Sequence, residues 1–359
     1  MKEKITTFLF LGILFTFFIL HILSPDHLLS LSERRHLAEF SPPSVKTLVD
    51  GSWQESFEDY VLDQFPARDA FRRMKGDAIF HGFHLLDNHE LFISGEHVIK
   101  MEYPLNMKSV NHFIAKVQEI HEHNLTPENT VYGAWIPDKN FYENGPHLRL
   151  DYNALNKTLT SNLPDLQWIS LEDVLSLENY YYRDPHWKQE TLAPVVYRLA
   201  ESMGFDPKPL PNTAHVYENF YGAYHGQAAM PFSSEPLTYL SNKTLDHCSV
   251  WNMERNTSES IYMPDRLTGM DSYDVFLSGA SPLLVIENPD ASSSRELILF
   301  RDSFGSSLAP LLVENYARIT LVDLRYISTE LLKQYIEFKD QDVLFLYSTT
   351  LINKSFSLK

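Results

Sequence analysis

The feature that most constrains this chain is an alternation of short apolar runs with stretches of helical periodicity. Apolar runs fall at Val131–Ile136, Trp168-Ile169, Leu297–Phe300, Ile319–Val322 and Val343–Tyr347. Helical spacing is read near Val110–His121, from about Gln189 to Met203 with Gly204 as a stop, near Ser306–Glu314 and near Thr329–Ile336. Such alternation predicts an α/β fold, a parallel sheet flanked by helices. Ahead of it, Trp53, Phe57, Tyr60 and Val61 fall at helical spacing, and a second helix, Phe71–Phe80, follows Pro66. Leu91-Phe92-Ile93 and Val98-Ile99, separated by Ser94-Gly95-Glu96, read as a hairpin. Between about 206 and 280 the alternation gives way to Gly-, Asn-, Ser- and Tyr-rich sequence, read as an irregular insertion or lid within one domain spanning 51–359.

The amino terminus sets the compartment. Lys2 and Lys4 precede a run from Ile5 to Ser24 in which His21 is the sole titratable side chain. About 20 such residues cross the hydrocarbon layer of a bilayer. Lysines on the leading side favour a cytoplasmic start and place the remainder outside. A cleaved signal peptide is the competing reading, but the exit Leu23-Ser24-Pro25-Asp26 offers no clean small-x-small site, so residues 1–24 are read as an uncleaved single-pass signal anchor in the cell membrane. Residues 25–50, with Ser32-Glu33-Arg34-Arg35 and the Ser41-Pro42-Pro43 break, read as a polar stalk. A net charge of −17, with no cluster of Lys and Arg, excludes a broad nucleic-acid-binding face. The single cysteine, Cys248, can form neither an intrachain disulfide nor a multi-cysteine metal site and is read as buried packing.

The sharpest local signal is Leu297-Ile298-Leu299-Phe300-Arg301-Asp302-Ser303-Phe304-Gly305-Ser306, an apolar strand entering a turn and then a helix. Ligands of open α/β sheets bind at the carboxyl ends of strands, which is where Ser303 lies. The helix amino terminus that follows can place backbone N–H groups near a developing oxyanion. The bland alternative is that Asp302 or Ser303 caps the helix. A serine nucleophile needs a base, and Tyr180-Tyr181-Tyr182-Arg183-Asp184-Pro185-His186-Trp187 offers one. Pro185 biases the stretch toward extended structure, in which Asp184 can hold one nitrogen of His186 while the other faces a serine. The alternative is a helix-entry turn carrying a partly exposed histidine.

The Asp-x-His-Trp element, followed in order by a strand and Asp-Ser-Phe, resembles the DHHW proteins and their relatives, the alginate O-acetylation proteins AlgX and AlgJ. The likeness covers nearly all of residues 30–350 and includes Ser32-Glu33-Arg34-Arg35, Phe57-Glu58-Asp59-Tyr60 to Phe65-Pro66-Ala67-Arg68-Asp69, the Phe220-Tyr221-Gly222 turn and Val322-Asp323-Leu324-Arg325-Tyr326. The resemblance implies an SGNH-hydrolase-like fold in which the Asp-His pair precedes the serine. It implies a triad of Ser303, His186 and Asp184, and acyl transfer or deacylation on an extracellular polysaccharide. Pro185 stands where DHHW proteins have their first histidine, and Lys188 replaces a frequent threonine.

Other residues join the candidate site. Lys139 and Asn140, in Ile136-Pro137-Asp138-Lys139-Asn140, resemble a Pro-x-Lys element of the family and are candidate oxyanion donors, with a solvated loop as the alternative. Tyr221, Tyr224 and His225, flanking Gly222 and Gly226, suit a sugar-binding surface or core packing. Arg301 is read as orienting a substrate carboxylate or pairing with Asp302. No cofactor or metal is expected: there is no phosphate loop, and His121 and His123, two apart on a helix, diverge.

The motifs together with this resemblance imply an extracellular serine-dependent O-acyltransferase, an O-acetyltransferase in particular, or an acetylesterase, modifying exopolysaccharide or cell-wall glycan of the cell envelope. The family context implies an acyl donor supplied by a polytopic membrane acyltransferase. The alternative is a noncatalytic surface protein that binds glycan or scaffolds a synthesis complex.

Overall fold

The computed structural model describes residues 2–30, 32–83, 88, 90–230 and 232–359; Met1, Leu31 and Pro231, which the expected anchor, stalk and insertion respectively contain, lie outside them. Two compact units are distinct: Met1–His89 with Ala223–Phe232, and Glu90–Gly222 with Ser233–Lys359. In the first unit the helix Lys2–Leu23 has a 20-residue apolar window, Lys4–Leu23, none of it buried. It is the one helix among the described residues long and apolar enough to cross a membrane.

Residues 25–50, expected as a stalk, fold onto the helices Ser52–Asp63 and Arg68–Asp77. Leu29–Ser30 pairs antiparallel with Arg35–His36, and a capping box between Ser44 and Thr47 starts the short helix Val45–Val49. Glu33 gathers Arg35 at 3.2 Å, Arg72 at 3.3 Å and Arg68, while Asp63 takes Arg35 at 2.5 Å. Burial works against ionisation of Glu33, yet the surrounding guanidinia hold its carboxyl below the usual range. The network ties residues 25–50 to the two helices that follow within the first unit.

The second unit is built on an eight-stranded sheet: β1 Thr130–Ile136, β2 Gln167–Trp168, β3 Ser249–Asn252, β4 Thr257–Glu259, β5 Leu283–Glu287, β6 Glu296–Arg301, β7 Arg318–Val322 and β8 Asp342–Ser348. Their order is β4-β3-β5-β7-β6-β8-β1-β2. The run β7-β6-β8-β1-β2 is parallel, whereas β5, β3 and β4 join antiparallel at one edge. Side chains alternate across each strand, so Leu297 and Leu299 of β6 enter one core and Ile298 and Phe300 the other. Helices α1 Met107–His123, α2 Tyr152–Asn162, α3 Ala193–Met203 and α4 Phe304–Leu312 cover the sheet. This is the α/β architecture expected, a largely parallel sheet flanked by helices.

Local differences have local causes. The helix expected from Gln189 begins instead as a 3-10 turn, Gln189–Thr191, and α3 starts at Ala193 with Pro194 in its first turn, where a missing N–H does no harm. Thr329–Ile336 yields a 3-10 turn and one helical turn, Leu332–Tyr335. The 206–280 stretch holds more regular structure than its composition suggests: an antiparallel hairpin, Thr213–Phe220 with Glu235–Ser241, and the edge strands β3 and β4. Cys248 is buried, its thiol donating to the Thr244 carbonyl.

Candidate active site

Ser303 follows β6 directly and precedes α4, with φ −60° and ψ −23°. Ser303 holds the N-cap position of α4, but the side-chain bond there comes from Asp302: one Asp302 oxygen accepts the Phe304 N–H at 3.0 Å and the other the Ser348 N–H at 2.9 Å, pinning the turn to the end of β8. Ser303 makes no side-chain cap bond, so its hydroxyl is left for another partner. That partner is His186, whose Nε2 lies 2.7 Å from Ser303 Oγ across 117 positions of sequence. His186 Nδ1 lies 2.6 Å from Asp184 Oδ1, which also accepts the His186 backbone N–H at 3.0 Å. Asp184 is fully buried and His186 partly exposed. A carboxylate at the far nitrogen fixes the tautomer with its proton on Nδ1, leaving the Nε2 lone pair facing the hydroxyl.

The Asp184–His186 segment is clamped from several sides. Tyr181 donates its N–H to the His186 carbonyl at 3.0 Å, closing the turn around Pro185. Glu235, buried at the start of the second hairpin strand, accepts the N–H groups of Tyr182 and Arg183 at 2.7 and 2.8 Å. The buried Lys139 ammonium donates to the carbonyls of Val98 at 2.6 Å, Tyr181 at 2.8 Å, Tyr182 at 2.9 Å and Asp184 at 3.3 Å. Burial pushes Lys139 down to about 7 although Glu235 and Asp184 favour its charge. Gly222 closes the clamp by proximity: a Cβ there would lie 2.2 Å from the Arg183 carbonyl oxygen and 2.7 Å from Asp184 Cβ.

A second group of contacts fixes the imidazole plane. The Tyr273 ring stacks on His186 with centroids 4.0 Å apart and planes at 12°. Its hydroxyl lies 2.8 Å from Ser307 Oγ, which also accepts Trp187 Nε1–H at 2.9 Å. Trp187 is wholly buried and reaches the Phe304 carbonyl at 3.1 Å, and Gln189 donates to the Ser307 carbonyl at 2.7 Å. Ser307 lies on α4 one turn beyond Ser303, so the histidine segment and Tyr273 converge on the helix that Ser303 precedes. Tyr273, Ser307 and Glu235 escaped the sequence reading. A tyrosine in a Tyr-rich stretch carries no local mark of such a role.

The remaining candidates occupy other positions. Lys139, expected as an oxyanion donor, has more carbonyl partners than an ammonium has protons. Asn140 is buried and donates its amide to the Leu148 carbonyl at 2.9 Å, bracing its own loop. The first amides of α4 are also committed: Phe304 to Asp302, Gly305 to the Asp302 carbonyl at 3.1 Å and Ser306 to the Ser303 carbonyl at 3.1 Å. Arg301 is 1% exposed and lies 3.6 Å from Asp323, itself held by Arg325. Tyr221 is exposed in the second unit; Tyr224 is buried in the first, on the helix Ala223–Ala228, a packing position.

A buried carboxylate, an imidazole and a serine hydroxyl form a continuous chain at the carboxyl end of a parallel strand, where open α/β sheets bind their ligands. No known family profile matches the chain, and no curated protein matches its sequence significantly. Solved structures do match. A DHHW family protein from Eubacterium siraeum superposes with a TM-score of 0.58 at 16% identity, over 74% of this chain and 93% of that one. Bacillus cereus PatB1, solved with a sulfonyl adduct, matches with a TM-score of 0.56 at 18% identity, over 74% and 97%. The O-acetyltransferase domain of Pseudomonas putida AlgJ matches more weakly, with a TM-score of 0.45 at 7% identity over 73% and 92%. The DHHW relation expected from the motifs is thus present as a shared fold.

Proposed function

We propose that this chain is a serine-dependent acyl-transferring enzyme of the cell envelope, tethered by its amino-terminal helix and acting on exopolysaccharide or cell-wall glycan. The observation that carries the reading is the unbroken chain from Asp184 through His186 to Ser303, at 2.6 and 2.7 Å. His186 Nε2 takes the hydroxyl proton as Ser303 Oγ bonds to the acyl carbonyl carbon. Asp184 stabilises the imidazolium, and the leaving group departs with the proton that His186 returns, leaving acyl-Ser303. In the second half His186 deprotonates the acceptor hydroxyl, which attacks the acyl carbon and releases Ser303 with its proton restored. A sugar hydroxyl as acceptor makes the protein an O-acetyltransferase; water makes it an acetylesterase. The adduct on like-folded PatB1 is in keeping with a reactive group in this fold, and the triad resemblance adds the acyl chemistry. Transfer to glycan is favoured by that family context, with a polytopic membrane protein supplying the acyl group.

The test is labelling of the full chain by a fluorophosphonate probe, together with turnover of p-nitrophenyl acetate with and without an acceptor oligosaccharide. Labelling confined to the protein carrying Ser303, and acetylated oligosaccharide by mass spectrometry, are the expected results. Labelling that persists in Ser303→Ala would overturn the assigned nucleophile, and a protein neither labelled nor active would favour the glycan-binding scaffold.

A further inference from the structure

The first compact unit carries an apolar surface whose neighbour is set by the helix it packs on. Phe17 of the helix Lys2–Leu23 stacks on Phe65 with ring centroids 5.3 Å apart and meets Phe71 edge-on at 5.6 Å; His21 meets Tyr60 at 5.8 Å. These partners come from the helix Ser52–Asp63, the turn after it and the helix Arg68–Asp77. A helix rises about 1.5 Å per residue, so Phe17 lies roughly 9 Å, and His21 roughly 3 Å, inside the Leu23 end of the apolar span. If that span crosses the bilayer, the two following helices touch it at a depth of about 3–9 Å. That is the depth of about 5–10 Å at which amphipathic helices lie along a membrane surface.

The side chains around the contact suit that depth. On Arg68–Asp77, Arg68 and Arg72 turn to the Glu33 network, while Phe71 and Met74, three residues apart, share the neighbouring face. Met74 is 65% exposed and Phe71 44%, although Phe71 already touches the span. Phe83, beyond the end of that helix, is likewise exposed. Apolar side chains left open beside a membrane-spanning helix are covered by what surrounds that helix, which is lipid.

We infer that the helices Ser52–Asp63 and Arg68–Asp77 form a platform seated in the outer leaflet of the bilayer, with Phe71 and Met74 inserted at the boundary between headgroups and acyl chains. The inference rests on the tethered reading given above. It adds a second, peripheral attachment that holds the first unit against the membrane surface instead of letting residues 25–50 act as a free stalk.

The experiment uses the full chain in nanodiscs of phosphatidylethanolamine and phosphatidylglycerol, three to one, with the environment-sensitive dye NBD attached at Met74→Cys. Burial pushes the native Cys248 thiol up to about 12, which leaves it unreactive at the labelling pH. A second protein carries the dye at Tyr197→Cys, an exposed position of the other unit. Lipids bearing nitroxide on the upper acyl chain should quench the dye at 74 several-fold more than at 197, with a blue-shifted emission at 74. A chain that floats with the nanodiscs but shows equal quenching at the two positions overturns the platform while leaving the tether. A chain that does not float with them overturns the tether and the platform with it.

Discussion

At the scale of single residues, two roles for Ser303 separate by magnitude. Loss of a helix cap costs about 1 kcal/mol. In this protein the cap is supplied by the Asp302 carboxylate, so removing the Ser303 hydroxyl should leave the melting temperature nearly unchanged. Loss of the nucleophile is far larger. Ser303→Ala and His186→Ala should each lower acetyl-ester turnover by at least about a thousandfold, and the double variant should be little worse than either, since triad members act as a unit. Turnover measured alongside thermal melts checks this, and a Ser303→Ala protein with ordinary turnover would remove Ser303 from the mechanism. Tyr273 has a subtler part. Its ring, parallel to the imidazole, restricts rotation away from Ser303, and a misplacement of about 1 Å near reacting groups costs on the order of a hundredfold. Tyr273→Phe keeps the stack and should stay within a few-fold of the parent. Tyr273→Leu should lower kcat by about ten- to a hundredfold with little change in KM, and equal effects of the two substitutions would show that the hydroxyl bond to Ser307, not the stack, matters.

At the scale of elements, the site depends on how closely separate segments pass. The Phe220-Tyr221-Gly222 turn runs so close to Arg183 and Asp184 that one added methyl would overlap the Arg183 carbonyl. Gly222→Ala should therefore shift the Asp184 carboxylate away from His186. Overpacking of this sort costs typically about 1–3 kcal/mol, and the expected result is a lower melting temperature together with a fall in kcat. Unaltered kinetics would mean that the turn yields instead of the triad. This contact also shows how much the sequence disclosed. The parallel strands β6, β7, β8 and β1 were legible because they are buried on both faces and read as continuous apolar runs. Strands β3 and β4 were not: Ser249–Asn252 is four residues long with only Val250 and Trp251 apolar, Thr257–Glu259 is short and polar, and antiparallel pairing of β3 with β5 and of β4 with β3 makes them strands. The Asp-x-His spacing and the strand-to-serine turn are local features and could be read directly. Lys139 was readable only as a residue at a strand end, because nothing in Ile136-Pro137-Asp138-Lys139-Asn140 reveals that its ammonium turns toward four carbonyls. Tyr273 stacks on a residue 87 positions away in sequence, by subtraction of 186 from 273, a pairing that only tertiary structure creates.

At the scale of the whole molecule, tether and chemistry belong to one proposal because the envisaged acceptor lies outside the cell. The charge distribution around the apolar helix is asymmetric at its start, where Lys2 and Lys4 stand. Positive charge on the leading flank favours retention of that end in the cytoplasm and passage of the following residues outward. The hydrophobic length fits a span: 20 residues at about 1.5 Å each cover the roughly 30 Å of hydrocarbon. Two observations follow from this arrangement. Protease added to intact protoplasts should digest the protein, leaving a short amino-terminal fragment in the membrane. Mass spectrometry of the undigested, membrane-extracted chain should find residues 1–24 still attached. The two measurements fail independently. A protected folded region would reverse the topology and place Ser303 away from any surface glycan, whereas digestion of a chain beginning near Pro25 would keep the location and remove the tether. A retained amino terminus with full protease sensitivity is the combination that puts the Ser303–His186–Asp184 site on the outer face of the membrane.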